Sequence, residues 1–393
     1  MSRSDSVVVT GLGPVTAIGV GREKFAAAIR KGASGKRPIT QFATDGYQYN
    51  HACEVTEVAA LIRPSQDAGR AATFALTGAL LALDEAGVTP SEVESNRVAV
   101  IIGTCDGEAA EADALARDGI TNVNSGAARR FHQPLSQLVA SELGWGRAVM
   151  ADIGNACAAG NYAIGYSLDL IRCGVVDIAV CGGADALSRK LFSGFHRVGT
   201  IAPGEVKPFD RNRKGILTGE GAGMVVMERL EHAIALGVEP RVEVAGYGVN
   251  SDAGHPVAPD PIRISECIRA AHADAHLEPE QVSLISAHGT GTPLNDRVET
   301  KAIRMVFGNP PAVTAVKSMI GHSMGASAAI GAIASAVAME DSFTPPTIGF
   351  SEADDDCDLP VVTNAMTAQA PSVVQNHGFG FGGVNSVLLL SKR

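Results

Sequence analysis

Three short stretches of the sequence place reactive side chains directly after an apolar run. Cys157 lies in GNACAAG, between an apolar run and a helix-like pattern. His288 follows the run VSLISA, and Lys317 and His322 stand five residues apart in KSMIGH. In open α/β sheets, sites assemble where strands end, so these side chains are expected to meet. Together they supply a nucleophile, two groups that exchange protons and a cation.

Cys157 is the candidate nucleophile. A thiolate attacks carbon, whereas a free cysteine is mostly protonated at neutral pH. The start of a helix offers unpaired N–H groups and a partial positive charge, and both favour the thiolate. The neighbouring alanines and Gly160 leave room for a substrate to approach the sulfur. On this stretch alone, a buried cysteine that acts only as a small hydrophobic residue remains the alternative.

A glycine-rich stretch, NHGFGFGGVNS, precedes the last apolar run of the chain. Its glycines alternate with Phe379 and Phe381, and such a turn can bring backbone N–H groups close to a developing oxyanion. The same stretch equally suits a sharp connection between strands in which the two phenylalanines fill space. Both interpretations remain open from the residues alone.

The segments that carry these residues alternate between strand and helix patterns over most of the chain, which is typical of α/β layers with a largely parallel sheet. Helices are predicted at about 22–31, 65–86, 262–276 and 296–307, with others after Cys157 and Gly321. The alternation begins again at residue 241, with no Pro/Ser-rich tract or charge block before it. We therefore expect two halves, 1–240 and 241–393, packed into one body.

Composition and charge exclude several other classes of protein. The 393 residues carry a net charge of −10 and only 5% aromatic residues, which argues against a nucleic-acid binder. The N-terminus has no apolar signal-peptide core, and the uncharged segment 318–339 is rich in Gly, Ala and Ser, so we expect a helix buried in a soluble core and no membrane span. Seven cysteines form no CxxC pair, which predicts a reducing cytoplasm and no structural metal site.

Read in order, the stretches VVVTGLGPVTAIG, NACAAG, KPFDRNRKGILTGEGAG, AHGTGTPLND, KSMIGHSMGA and GFGFGG resemble the β-ketoacyl–acyl-carrier-protein synthases of the decarboxylating type, within the thiolase superfamily. The resemblance implies an α/β thiolase fold of five layers, αβαβα, built from two related halves and usually found as a homodimer. It implies a ping-pong Claisen condensation with substrates carried on the phosphopantetheine of an acyl carrier protein. No metal or organic cofactor is implied, because loss of CO2 generates the carbanion.

The resemblance also implies roles for the reactive residues. Cys157 matches the acyl-accepting nucleophile, and His288 and His322 match the pair that assists decarboxylation of the extender and stabilises the enolate. Lys317 matches the lysine that orients and polarises this centre. The backbone N–H groups of Cys157 and Phe381 match the oxyanion hole, with Phe381 as the gate between the two substrates.

Four further side chains are implied near the substrate. Thr290 and Thr292 match the threonines that hydrogen-bond the pantetheine arm, and Phe379 is expected beside the substrate. Glu299 matches a structural acid near the site. The segment 210–215, DRNRKG, is mostly a structural loop in the family, although its basic residues suit contact with an acidic carrier protein.

The chain departs from the family pattern at the substrate pocket. Asp106 stands where members that accept long acyl chains carry an apolar residue, and a buried carboxylate would disfavour a fatty chain unless it turns outward. Val257 and Ala258 stand near positions where hydroxyl residues often contact pantetheine. His255 is expected to be a structural or entrance residue.

These departures favour a ketosynthase of specialised, polyketide-like metabolism. Housekeeping fatty-acid elongation remains an alternative. A ketosynthase-derived cyclase, which forms an intramolecular aldol or lactone on a carrier-bound substrate, would use the same residues and is not separated from condensation by the sequence. A non-catalytic chain-length partner in a heterodimer is disfavoured, because such partners lack the cysteine that stands here at position 157.

Overall fold

A computed structural model describes residues 6–65, 68–117, 133–363 and 370–393 of the chain. Its largest feature is a mixed sheet of eleven strands. The described strands are β1 (Val7–Thr16), β2 (Gly19–Val20), β3 (Arg37–Pro38), β4 (His51–Ala52), β5 (Val98–Gly103), β6 (Val149–Ile153), β7 (Ile178–Asp185), β8 (Gly221–Arg229), β9 (Val242–Ser251), β10 (Leu284–Ser286), β11 (Ala312–Thr314), β12 (Val373–Gly380) and β13 (Val384–Lys392). Strands β3 and β4 form a separate antiparallel pair.

The described helices lie on both sides of this sheet. They are α1 (Arg22–Lys31), α2 (Arg70–Ala86), α3 (Ala109–Arg117), α4 (Leu135–Glu142), α5 (Ala159–Arg172), α6 (Arg189–Arg197), α7 (Leu230–Ala235), α8 (Pro261–Ala275), α9 (Pro293–Val306), α10 (Lys317–Ile320) and α11 (Ala326–Glu340). Short 3-10 turns connect several of these elements. No helix among the described residues is long and apolar enough to cross a membrane.

The sheet consists of two halves with the same strand order. In the first half the order is β6-β5-β7-β8-β1, and in the second it is β11-β10-β12-β13-β9. In each half the first three strands are parallel and the last two join antiparallel. The halves meet where β1 pairs with β9 over two residue pairs, Val8 with Glu243 and Val9 with Val242. The order of elements thus repeats once along the chain.

Helices form the remaining layers. Helices α5 and α11 contact strands of both half-sheets and therefore lie between them. Helices α2 and α4 cover the outer face of the first half-sheet. On the second half-sheet, α8 packs on β9 and β13, and α9 packs against α8. This αβαβα order is the thiolase fold predicted from the sequence.

The central helix α11 is made almost entirely of small and aliphatic residues. All of its residues from Ala326 to Met339 are buried. A Cβ on Gly160 of α5 would come within 2.9 Å of Ala329 Cβ, and a Cβ on Gly223 of β8 would come within 2.7 Å of the Ile330 nitrogen. The uncharged segment is thus buried in the protein core, as predicted. It is not one helix, however, because the chain turns at Gly321, with φ of 69°, between α10 and α11.

One predicted boundary differs for a tertiary reason. Helix α2 begins at Arg70, five residues later than expected, and ends as expected at Gly87 in the left-handed region. Its first N–H groups are satisfied by other parts of the chain, because Arg70 N donates to Glu111 and Ala72 N donates to Glu108. The segment between Gly107 and Gly144, which the sequence left least defined, contains α3 and α4, and its residues 118–132 lie outside the described part.

Candidate active site

One cavity of about 290 Å³ contains most of the residues singled out from the sequence. Its lining includes Cys157 from the first half of the chain and His288 and His322 from the second. It also includes residues expected near the substrate: Thr290, Thr292, Phe379, Phe381, Val257, Ala258 and His255. The structure thus brings together side chains that are more than 130 positions apart in sequence.

Cys157 lies in a tight turn between β6 and α5. The turn, Ala156–Ala158, is a single 3-10 turn that leads directly into the helix. Ala156 has φ of 46°, which costs energy for a residue with a side chain and marks a position held by its surroundings. Gly380 at the end of β12 comes so close that a Cβ there would lie 3.0 Å from Ala156 Cβ and 3.2 Å from the Cys157 nitrogen. This contact places the glycine-rich turn against the sulfur-bearing turn.

The environment of the Cys157 thiol contains opposing influences. Burial raises its pKa to about 11, while the Lys317 charge and hydrogen bonds from the backbone N–H groups of Phe381 and Cys157 itself lower it. The net direction of the pKa shift is opposite to that expected from the helix start alone, because Cys157 is only 6% exposed. In the free enzyme the group is therefore a thiol that is surrounded by groups able to stabilise a thiolate.

Both histidines are neutral and have the same tautomer. His322 Nδ1 accepts from the Met324 N–H at 3.1 Å, and the Ser327 hydroxyl lies 3.2 Å from it. His288 Nδ1 accepts from the Phe379 N–H at 3.3 Å. Burial lowers the pKa of His322 to about 3 and the pKa of His288 well below its ordinary value, and the Lys317 charge adds to both effects. Each ring therefore keeps its proton on Nε2 and is a hydrogen-bond donor.

Lys317 is a buried cation near the Cys157 thiol and the two histidines. Burial lowers its pKa to about 8, and attraction to Glu299, Cys157 and Asp296 works in the opposite direction. Lys317 is the first residue of α10, three positions after the end of β11 at Thr314. Lys317 is outside the cavity lining, so its charge acts on the thiol and the histidines from within the surrounding protein.

Glu299 holds the main chain of the His288 loop. The fully buried carboxylate accepts the N–H groups of His288 at 2.7 Å and Gly289 at 2.8 Å, and His377 Nδ1 lies 2.8 Å from it. Glu299 lies on α9, whose first turn is capped by Thr292 through a bond from Asn295 N.

The mouth of the cavity combines hydroxyl and apolar groups. The Thr290 and Thr292 hydroxyls lie 2.9 Å apart. His255 Nδ1 accepts from the N–H groups of Val257 and Ala258, so this histidine shapes the apolar side of the mouth. Its position agrees with a structural role at the entrance.

The two phenylalanines of the glycine-rich turn differ in environment. Phe379 is buried and its ring centroid lies 5.7 Å from that of His288. Phe381 is 43% exposed and its ring centroid lies 5.7 Å from that of Phe195, which also lines the cavity. An exposed ring on a turn with two positive-φ glycines suits a gate better than a fixed wall.

Asp106 is outside the cavity lining. Its carboxylate accepts the Ser188 hydroxyl at 2.6 Å and pairs with Lys190, while only 2% of the side chain is exposed. Of the two orientations that the sequence left open, the structure shows the one in which the carboxylate has partners away from the cavity. Asp106 therefore gives no reason in this structure to disfavour a fatty chain.

The DRNRKG segment forms internal contacts. Asp210 accepts the N–H groups of Ser351 at 2.6 Å and Glu352 at 2.7 Å. Arg213 is buried and pairs with Asp354. This segment therefore fastens a neighbouring loop, in agreement with a structural role.

Sequence reasoning missed three residues near the site: Phe195, His377 and Asp185. Asp185 ends β7 and accepts from the Thr104 hydroxyl at 2.8 Å, Cys105 N at 2.8 Å and Gly325 N at 2.6 Å. It thereby links the loop after β5 to the start of α11. Burial raises its pKa to about 6. Its place at the end of an apolar run is the same signal that identified His288.

Comparisons with known proteins identify the families and structures that this chain resembles. Two family models cover most of the chain: "Beta-ketoacyl synthase, N-terminal domain" at residues 4–233 and "Beta-ketoacyl synthase, C-terminal domain" at 241–351. The chain is 33% identical to 3-oxoacyl-[acyl-carrier-protein] synthase 2 of Synechocystis sp., over 98% of each chain. Among solved structures, the ishigamide ketosynthase/chain length factor is 45% identical, with 99% of each chain covered and a TM-score of 0.96. A type II polyketide synthase acyl-carrier protein in complex with its ketosynthase bound to the hexaketide matches at 30% identity, 99% coverage of each chain and a TM-score of 0.90.

Proposed function

Since the chain belongs to the beta-ketoacyl synthase family of condensing acyltransferases, we propose that it is a ketosynthase of a type II polyketide system that uses Cys157 as its acyl-accepting nucleophile. The observation that carries the proposal is the pair of neutral histidines, each with Nε2–H as its free polar group, in the same cavity as the thiol. Two donors in one apolar cavity suit a negative charge that develops only during reaction.

In the first half-reaction, the acyl group moves from a carrier-protein thioester to Cys157. The sulfur attacks the thioester carbonyl, the bond to the carrier sulfur breaks, and the proton of the Cys157 thiol ends on the released pantetheine thiol. With a pKa of about 11, only about one molecule in ten thousand is a thiolate at neutral pH. The Lys317 charge and two N–H groups stabilise that thiolate while it attacks.

In the second half-reaction, a malonyl thioester loses CO2 and the electron pair of the broken bond passes into the enolate. The Nε2–H groups of His288 and His322 donate hydrogen bonds to the enolate oxygen. Because each neutral ring already carries its proton on Nε2, both rings stabilise this charge without first gaining a second proton. Such a donor typically contributes about 3 kcal/mol to the transition state.

The carbanion then attacks the acyl group on Cys157. The oxygen of the tetrahedral intermediate accepts the backbone N–H groups of Cys157 and Phe381, the same two groups that hydrogen-bond the sulfur. The carbon–sulfur bond breaks, the thiolate takes up one proton, and the β-ketoacyl thioester leaves on the carrier protein. These steps use groups of this chain and of the substrates, and no metal or organic cofactor enters them.

A role in specialised metabolism is supported by the 45% identity to the ishigamide ketosynthase/chain length factor over 99% of each chain. Curated relatives of both kinds are less similar and close together, at 33% for the Synechocystis synthase and 31% for the tetracenomycin polyketide synthase ketoacyl synthase alpha subunit. We further propose that an acyl carrier protein delivers the substrates and that the chain works as a dimer, either with a second copy or with a chain-length partner. The edge strand β6 supports a paired state, because Met150 on it is 39% exposed. Size-exclusion chromatography of the chain alone and after co-expression with such a partner distinguishes the two.

Acyl loading tests the nucleophile. We expect Cys157→Ala to abolish acylation by acyl-carrier thioesters, as measured by intact-protein mass spectrometry. The fold should survive this substitution. Cys173→Ala is the matched control, because Cys173 is an exposed cysteine at the end of α5, outside the cavity lining. Undiminished acylation of the Cys157 variant would refute the assignment.

Two further measurements separate the alternatives. Release of CO2 from malonyl-carrier protein by the unsubstituted enzyme is expected for a condensing enzyme, and its absence would favour an intramolecular cyclase. A panel of saturated, unsaturated and polar acyl thioesters identifies the chain that loads best. Preference for saturated chains of housekeeping length would contradict the specialised role.

A further inference from the structure

Behind the active site, polar side chains continue away from the cavity along one face of β12. In a strand, alternate residues share a face, so Gln375, His377 and Phe379 lie on the same side. Phe379 contacts His288 on the cavity side, and His377 Nδ1 lies 2.8 Å from Glu299. The strand thus connects the catalytic histidine with groups that touch no substrate.

Hydrogen-bond contacts continue without a gap from Glu299 to the Leu277 carbonyl. His377 Nε2 lies 2.6 Å from the Gln375 amide, and the other end of that amide lies 2.8 Å from His272 Nε2 on α8. His272 Nδ1 lies 2.9 Å from the Leu277 carbonyl oxygen, which follows the helix end at His276. The four side chains are at most 6% exposed, so the protein and not solvent supplies their hydrogen-bond partners.

The number of ring protons in this hydrogen-bonded series follows from the groups at its two ends. The Leu277 carbonyl only accepts, and so does the Glu299 carboxylate when it is ionised. Between them stand two imidazole rings and one amide, and the amide offers an oxygen to one ring and an NH2 group to the other. The ring that faces the amide oxygen has acceptors on both sides, so it needs protons on both nitrogens. Whichever way Gln375 points, one ring, His272 or His377, is an imidazolium.

The alternative, a protonated Glu299, would leave both rings neutral. It is disfavoured because Glu299 also accepts the N–H groups of His288 and Gly289, and hydrogen bonds to a carboxylate favour its ionised form. The positive charge of Lys317 acts in the same direction. The geometry therefore favours an ionised carboxylate balanced by a buried imidazolium.

We propose that His272, Gln375 and His377 form a positioning array that carries one buried positive charge, which is on His272 when the Gln375 oxygen faces that ring as in this structure. The array balances Glu299 through the His377 contact and thereby fixes the main chain of His288. The array is the set of these three side chains. Its part in catalysis rests on the proposed function, whereas its charge does not. A carboxylate that lost this balance would shift toward Lys317, which would loosen its hold on the His288 loop.

Other charged and titratable groups surround the two ends of the array. At the active-site end are Lys317, Asp296, His288 and His322. At the other end, His272 lines a separate surface cavity of about 550 Å³ together with Arg269, His276 and Glu278. Asp296 also faces the buried Arg213.

Nitrogen NMR of protein labelled on histidine rings tests the charge without any substitution that could unfold the protein. At roughly pH 8.5, two units above the ordinary histidine pKa, free rings are neutral. We expect one ring charge to persist there and to disappear in His377→Asn. The matched control is His276→Asn, since His276 has φ of 52°, which asparagine tolerates, and it lines the same surface cavity outside the array. If every ring of the unsubstituted protein is neutral at this pH, the proposal is overturned.

Malonyl decarboxylation tests the positioning role. In His377→Asn we expect kcat to fall at least tenfold with KM changed less than twofold, while His276→Asn retains both values. An unchanged kcat in His377→Asn, or an effect on KM alone, overturns the role. If the unsubstituted enzyme releases no CO2, the proposed function fails, and the NMR result then decides the array by itself.

Discussion

The buried charge of Lys317 should control how readily the Cys157 thiol ionises, and its replacement by methionine isolates that effect. Methionine keeps an unbranched side chain of similar length and removes the charge. Lys317 is the foremost influence that lowers the pKa of the thiol, which burial has raised to about 11. An opposite charge nearby shifts a pKa by one unit or more, so we take about one unit, or about 1.4 kcal/mol, as the effect to be lost.

The pH dependence has a specific shape, because Lys317 itself titrates. With its pKa lowered to about 8, Lys317 is an ammonium at pH 7 and loses its proton above pH 8. The alkylation rate of the enzyme should therefore rise tenfold per pH unit below pH 8, only about threefold between pH 8 and 9 as the ammonium is lost, and close to tenfold per unit again at higher pH. In Lys317→Met the rate should rise tenfold per unit throughout, start about tenfold lower at pH 7 and meet the wild-type curve above roughly pH 9.

The assay is the rate of iodoacetamide alkylation at Cys157, followed by intact-protein mass spectrometry from pH 6 to 10. Lys301→Met is the matched control, because it removes the same charge from an exposed position on α9. Equal alkylation rates at pH 7 for the Lys317 variant and the wild type, with no shallower rise between pH 8 and 9 in the wild type, would refute the reasoning.

Three further substitutions probe the histidine donors, the turn and the central aspartate. His322→Asn should slow malonyl decarboxylation by a hundredfold or more, since one donor typically contributes about 3 kcal/mol. The wild-type rate should stay constant as pH falls from 7 to 5, because the pKa of His322 is lowered to about 3. A loss of rate near pH 6.5 would contradict this. Gly380→Ala places a Cβ 3.0 Å from Ala156 Cβ and should reduce acyl loading about tenfold with little change in the urea midpoint, whereas wild-type loading would count against a tight turn. Asp185→Asn removes a carboxyl whose pKa is raised to about 6 in the folded state, so protonation stabilises the fold below that pH. Between pH 7 and 5, the free energy of unfolding of the wild type in urea should rise by about 1 kcal/mol relative to the variant. A difference independent of pH would show that Asp185 does not titrate there.

The sequence contained enough information for the fold class and for the main set of reactive residues. Apolar runs that end in Cys157, His288 and Lys317 mark strand ends, and strand ends of one sheet lie at a common edge. Helix ends at Lys31, Gly87 and His276 were predicted within a residue, and Gly87 was recognisable in the sequence as a helix stop.

What the sequence could not provide was set by contacts between distant segments. The start of α2 depends on carboxylates from α3, which no local pattern reveals. The pKa of Cys157 depends on burial, which outweighs the local influence of the helix start. The orientation of Asp106 was decided by Ser188 and Lys190, more than 80 positions away. His377 was visible in the glycine-rich stretch, but its partner Glu299 lies on another element.

The helix α11 has a consequence that reaches beyond packing. The nucleophile comes from one half of the chain and the two histidines from the other, so the thickness of the central layer determines how far apart they stand. That thickness is set by alanines and glycines that touch no substrate, such as Ala329 against Gly160. A single added methyl group in this layer would act as a spacer, changing the rate of carbon–carbon bond formation without altering any catalytic group. Inherited variation in reaction rate among such enzymes is therefore expected in the central helices as much as in the cavity.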